Sequence, residues 1–169
     1  VTIRIFGRGG HGARPETTID PVVIAARTVL ALQTIVSREI SPFDAAVITV
    51  GTIHGGTRRN VIPDEVRLDL SVRSFTDPVR QHLRSAIERV AKAEAAASAA
   101  PREPAIEMSE STNALVNDTA LTARISSMLV RELGSTRVRD VPPEALERLP
   151  DGFAIEPALR RLGKVLDPR

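Results

Sequence analysis

Val1, Ile3 and Ile5 alternate with Thr2 and Arg4, a period of two that gives a short strand one buried face. A second strand is expected over Ala45 to His54, which is rich in β-branched residues. The clearest strand runs over Val66, Leu68, Leu70 and Val72, with Arg67, Asp69, Ser71 and Arg73 between them. Between these runs the period changes to that of a helix. Asp20 is placed to cap and Pro21 to occupy the first helical position, and the helix is expected to run to about Glu39. Val22, Ala26, Val29, Leu32 and Val36 form its expected buried stripe, with Arg27 and Arg38 on the other side and Ser41-Pro42 ending it. Asp77-Pro78 repeats the cap-and-proline signal before a helix carrying Val79, Leu83, Ala86, Ile87 and Val90, which trails into Ala95 to Ala100. Pro101 and Pro104 bracket a loop, and Ala105 to Met108 completes the series as a fourth strand.

The order is β-α-β-β-α-β. Two helices with one apolar stripe each must pack on the same face of the sheet. This predicts an α+β, ferredoxin-like two-layer sandwich with a four-stranded antiparallel sheet and two helices. An edge or face left uncovered invites a second copy of the chain. The character changes beyond this unit, which divides the chain into residues 1–110 and 111–169. Asn117-Asp118 caps a further helix over Thr119 to Leu133, with Leu121, Ile125, Met128, Leu129 and Leu133 apolar; Gly134 stops it, and Val138 with Val141 suggests a short strand. From Pro142 onward the pattern is weak.

Composition narrows the function classes. At 42% apolar the chain can build a core, but 2% aromatics make that core aliphatic. The net charge is only +2, and the basic residues are scattered among acids. Nucleic-acid binding wants clustered cations and stacking aromatics, so nucleic acid is not an expected partner. No cysteine is present, which removes disulfides and thiolate metal sites, and a cytoplasmic home fits. No apolar run reaches the roughly 18 residues of a membrane span, and no membrane partner is expected. The chain opens on a strand without a methionine and reads as a segment of a longer protein.

The candidate chemistry lies in Gly7-Arg8-Gly9-Gly10-His11-Gly12-Ala13-Arg14-Pro15. Glycines on both sides of one histidine suggest a flexible binding loop with a titratable apex, although His11 can also be an ordinary loop histidine bonded to nearby backbone. Gly7, Gly9 and Gly12 also match a dinucleotide fingerprint literally, but there the helix begins at the third glycine, and here it waits until Asp20. His54 suits strand-end packing and His82 a solvated helix face, so the three histidines make no metal site. Asn60 in Asn60-Val61-Ile62-Pro63 can be an ordinary turn residue. Arg67 and Arg73 can be surface arginines, although an arginine at a strand end can also clamp a carboxylate with two hydrogen bonds.

Taken together, Gly7 to Pro15, Asp20-Pro21, the run Leu32-Gln33-Thr34-Ile35-Val36-Ser37-Arg38-Glu39, Val47 to Gly51, Asn60 to Asp64 and the strand ending Ser71-Val72-Arg73-Ser74-Phe75 resemble one family. It comprises the zinc-dependent amidohydrolases and peptidases that include aminoacylase, hippurate hydrolase, carboxypeptidase G and succinyl-diaminopimelate desuccinylase. The Leu32–Glu39 run is most similar to the hippurate hydrolase and N-acyl-amino-acid branch, and the likeness extends over roughly residues 1–140. The resemblance implies that residues 1–110 are a lid, or dimerisation, domain and that 111–169 are a remnant of the metal-binding catalytic domain. It implies a homodimer through the lid sheet edge and an N-acyl amino acid substrate of the hippurate kind. His11 would then donate to the amide carbonyl as it becomes an oxyanion, often in the partner subunit's site. Asn60, Arg73 and Gly10 would bind substrate.

A divalent metal, zinc or manganese, is implied for the full-length family, with none bound by this chain. The family's zinc ligands and general-base glutamate lie mostly upstream of the lid. Its later Gly-Ser-Glu-Asp-Phe-like turn and last ligand histidine have no match here, where Pro143-Glu144-Ala145-Leu146 stands and no histidine follows His82. The lid alone is therefore expected to be inactive. Two other readings stay open: a self-association module without catalysis, and a small-ligand regulatory domain of ferredoxin-like shape.

Overall fold

The structure, a computed structural model, describes residues 1–109 and 117–138. The chain divides into two compact units, Val1–Leu115 and Val116–Arg169, and each is taken by itself. The expected boundary at 110/111, the short strand running from Val138 to Val141 and the tail from Pro142 fall on or run into residues outside the described ones.

In the first unit, β1 (Thr2–Phe6), β3 (Ala46–Gly55), β5 (Glu65–Ser74) and β6 (Ala105–Glu107) form an antiparallel sheet in the order β3-β5-β1-β6. Two helices, α1 (Pro21–Glu39) and α2 (Asp77–Ala97), lie against one face of it. This is the ferredoxin-like sandwich that the periodicity predicts. Ile3, Ile5, Val66, Leu68 and Leu70 supply the sheet side of the core, and Leu32, Ile35, Leu83 and Ile87 the helix side. Thr28 is buried among them, its hydroxyl donating to the Ile24 carbonyl at 2.9 Å.

The buried stripe of α1 differs from the expected one. Ile24, Ala25, Thr28, Leu32 and Ile35 face the core, whereas Val22 and Ala26 are exposed and Val29 and Val36 half-buried. This helix is apolar on nearly every side, so the period alone does not choose a face. Arg27 bonds Glu94 of α2, which marks the α2 flank. At about 100° per residue, Val22, Ala26, Val29 and Val36 lie on the opposite flank. The helix is long and apolar enough to span a membrane by composition, yet here it packs its core stripe on the sheet. Asp20 caps it as expected, accepting from the Val22 N–H at 2.9 Å. In α2 the cap is Thr76; Asp77 sits one residue inside the helix and pairs with Arg80 instead.

The other sheet face is polar. Gly51 forms a bulge between Val50 and Thr52, which turns Thr52 and His54 to the open side. There the Asp69 carboxylate accepts from Thr52 at 2.7 Å, Thr2 at 2.9 Å and Arg67 at 2.9 Å. Those donors, Thr52 foremost, hold its pKa down at about 2. Arg4 grips Glu65 with two hydrogen bonds of 2.8 and 2.7 Å.

The end of α2 carries a strained residue. Ala99 adopts φ 51°, and the Ala100 N–H closes back on the Ala95 carbonyl at 3.0 Å. A side chain disfavours this left-handed turn, which glycine accepts freely. Ala99→Gly is expected to stabilise the unit by about 1 kcal/mol, visible as a higher Tm. An unchanged or lower Tm would contradict this account.

In the second unit, α3 (Thr119–Leu133) starts at the Asp118 cap, whose carboxylate accepts from the Leu121 N–H at 2.7 Å, and stops at Gly134 with φ 87°. Leu121 and Ile125 of its expected apolar stripe are exposed; Met128, Leu129 and Leu133 are half-buried.

Candidate functional site

The glycine loop is a strand rather than a flexible apex. Gly10–His11 forms β2, which pairs antiparallel with β4 (Val61–Ile62), Gly10 opposite Ile62 and His11 opposite Val61. Main-chain bonds extend this ribbon at both ends. The Gly7 N–H donates to the Asp64 carbonyl and the Gly12 N–H to the Asn60 carbonyl, each at 2.8 Å. The Gly9 N–H donates to the Asp64 carboxylate at 2.7 Å. Arg8 and Ile19 exchange two main-chain bonds of 2.9 Å, tying the loop to the approach of α1.

None of the four glycines beside His11 has a positive φ. They are glycines because other atoms stand where a Cβ would be. At Gly9 that Cβ would lie 2.6 Å from the Ile62 carbonyl oxygen and 2.9 Å from the Asp64 carboxylate. Gly9→Ala is therefore expected to destabilise the unit by about 1–3 kcal/mol. A Tm equal to that of the parent would mean that the ribbon yields without penalty.

His11 is exposed, but its ring is oriented. The Ala13 N–H donates to Nδ1 at 3.1 Å, and the Arg14 N–H donates to the His11 carbonyl at 2.8 Å. A neutral imidazole that accepts at Nδ1 carries its proton on Nε2. The loop thus presents one N–H donor outward from a fixed main chain. Such a group can meet a carbonyl oxygen on which negative charge develops.

The candidate residues divide in two. Gly10, His11 and Asn60 come together in the β2–β4 ribbon, Asn60 through its carbonyl. Arg73 does not join them. It lies exposed on β5 opposite Val47, eight residues beyond Glu65, or about 26 Å along the strand at ~3.3 Å per residue. His54 is exposed opposite Arg67 instead of packed at a strand end. His82 lies on an exposed face as expected, with its Nε2 3.1 Å from Glu39.

Sequence reasoning missed Asp64 and Ala13. A carboxylate at the far end of Asn60-Val61-Ile62-Pro63-Asp64 was the available signal. Its two roles, through carbonyl and side chain, follow only from the pairing of β2 with β4.

The sequence profile of the peptidase dimerisation domain matches residues 1–99. The chain belongs to the M20 peptidase dimerisation-domain family. It is 34% identical over 159 residues to an N-acetyl-L-cysteine deacetylase of Bacillus subtilis, covering 90% of this chain and 38% of that protein. It is 35% identical over 130 residues to an N-acetyldiaminopimelate deacetylase of Leuconostoc citreum, covering 77% and 33%. The crystal structure of a candidate aminohydrolase from methicillin-resistant Staphylococcus aureus superposes with a TM-score of 0.69 at 32% identity, over 78% of this chain and 34% of that one. The chain thus spans about a third of the length of the proteins it matches. Relatives of this dimerisation domain are amidohydrolases, in keeping with the resemblance read from the motifs. Among the described residues of the domain, no three His, Asp or Glu side chains converge as a metal site would require. The described residues thus supply no three-ligand set for the divalent ion implied for the full-length family.

Proposed function

We infer that this domain is the lid of an amidohydrolase that cleaves the amide bond of N-acyl amino acids, hippurate among them. Residues 111–169 belong to its metal-binding domain. The observation that carries the reading is the Ala13 N–H to His11 Nδ1 bond, which leaves Nε2–H as a preorganised donor. In this reading Nε2–H stabilises the carbonyl oxygen as it takes negative charge, Gly10 binds substrate beside it through its main chain, and Asn60 and Arg73 hold the substrate carboxylate.

The distance between Arg73 and His11 is reconciled by a homodimer. Among the described residues β3 is a ten-residue edge with a neighbour on one side only, whereas the β6 edge has three residues. The second apolar flank of α1, Val22, Ala26, Val29 and Val36, faces away from α2 on the helix that overlies β3 and β5. Two copies joined antiparallel along β3 would bury that flank and continue the sheet. Antiparallel pairing sets the Arg73 end of one lid beside the His11 end of the other. Each substrate would then meet Arg73 from one chain and His11 with Asn60 from its partner.

The test is direct. This chain with zinc or manganese and hippurate should release no benzoate, while the same lid joined to an intact metal-binding domain should release it. Turnover by the chain alone, or none by the joined enzyme, would overturn the reading. The alternative of self-association without catalysis is favoured by the long β3 edge; it would be left standing by a dimer whose joined form cleaves no N-acyl amino acid.

A further inference from the structure

Many cations of the lid are matched to acids, among them Arg4 to Glu65, Arg27 to Glu94, Arg67 to Asp69, Arg89 to Glu39, and Lys92 to Glu88 and Glu103. The ribbon that carries His11 departs from this. Arg58 and Arg59 are exposed on the turn just before Asn60, closed by the Val61 N–H to Arg58 carbonyl bond of 3.3 Å. Neither has an acidic partner among the described residues, and the same holds for Arg8 on the facing loop. The nearby acids are engaged elsewhere: Asp64 accepts from the Gly9 N–H, Glu65 holds Arg4, and Glu16 lies 3.8 Å from Arg14. His11 stands directly across from Val61, with Cα atoms about 5 Å apart, and the turn keeps Arg58 within about 7 Å of Val61.

We propose that Arg58 and Arg59 form an anion-recognition pair that selects N-acyl amino acids bearing a second carboxylate. The inference rests on the amidohydrolase reading and deepens it. Every N-acyl amino acid has one carboxylate, assigned above to Asn60 and Arg73. Two further guanidinium groups beside the same ribbon, unneutralised by the lid, have capacity for another. Guanidinium is a planar fork that matches a carboxylate through two parallel hydrogen bonds. The near absence of aromatics removes the stacking partners that a nucleotide ligand would want. The second carboxylate can belong to the amino-acid side chain or to the acyl group; both present the same chemistry to the turn.

The experiment uses the full-length enzyme carrying this lid, alone and as Arg58→Gln/Arg59→Gln. The probes are N-acetylglutamate against N-acetylglutamine, and N-succinylalanine against N-butanoylalanine. A charged-over-neutral kcat/KM ratio of about tenfold is expected in at least one pair, shrinking as salt is added. In the double variant that ratio should fall to near one, with the neutral substrates within about twofold of the parent. The responding pair locates the carboxylate, in the side chain or in the acyl group. Ratios near one in the parent, or a preference that survives in the variant, would overturn the pair's role while leaving the amidohydrolase reading intact. Failure to cleave any of the four substrates would overturn that reading and this inference with it.

Discussion

Replacing His11 by Ala in the dimeric enzyme is expected to lower kcat by about 10²–10³ with KM changed only a few-fold, the loss found when one oxyanion donor is removed. The expectation follows from how the ring is held. Nδ1 is occupied by the Ala13 N–H, so the Nε2 proton is the one available to substrate, and the main chain beneath is fixed by the pairing of β2 with β4. A donor placed this way strengthens its bond as charge builds on the carbonyl oxygen, so its removal acts on the rate more than on ground-state binding. Because the ring is exposed and its side-chain bond is to the exposed Ala13 N–H, Tm should stay close to the parent value. Steady-state kinetics with a melting curve beside them decide it. Unchanged kcat would remove His11 from the chemistry; a lowered Tm would shift the effect to folding.

The second large effect comes from mixing two damaged enzymes. His11→Ala and Arg73→Ala dimers, each nearly inactive, should recover about a quarter of parental activity after subunit exchange at equal amounts. Random exchange makes half of the dimers mixed. In each of those, one site joins the sound Arg73 of one chain to the sound His11 of the other, and the second site carries both defects. The reasoning rests on the length of β5, which separates the two residues within one lid. If both acted on substrate from the same chain, no site in the mixture would be intact and activity would stay at the level of the parents. The exchange itself is checked by mass spectrometry of differently tagged chains.

The fold was largely legible because four strands and two helices announce themselves by period, by the Asp20-Pro21 cap and by the alternation from Val66 to Arg73. The face of α1 was not legible. With Val, Leu or Ala on almost every side, the choice between Ile24–Thr28–Ile35 and Val22–Val29–Val36 is made by the sheet and by α2, through contacts such as Arg27 to Glu94. The ribbon of Gly10–His11 with Val61–Ile62 was also hidden. Two residues carry no period, and the pairing joins segments some fifty positions apart. For the same reason the glycines read as conferring flexibility when their role is to let backbone meet backbone. His11 and Asn60 were found through motif likeness, and their juxtaposition came from long-range pairing. The separation of Arg73 could have been counted from the length of the strand, since eight residues of extended chain cannot fold back on themselves.

The ribbon has a consequence for how such an enzyme would lose activity. Its hydrogen bonds are made by main-chain amides and one aspartate at the rim of the sandwich, outside the aliphatic interior. Rim elements of this kind open at lower free energy than the core. Warming should therefore detach the imidazole from its post before the sandwich melts. Catalysis would fade in one subunit because a small zipper had come undone in the other.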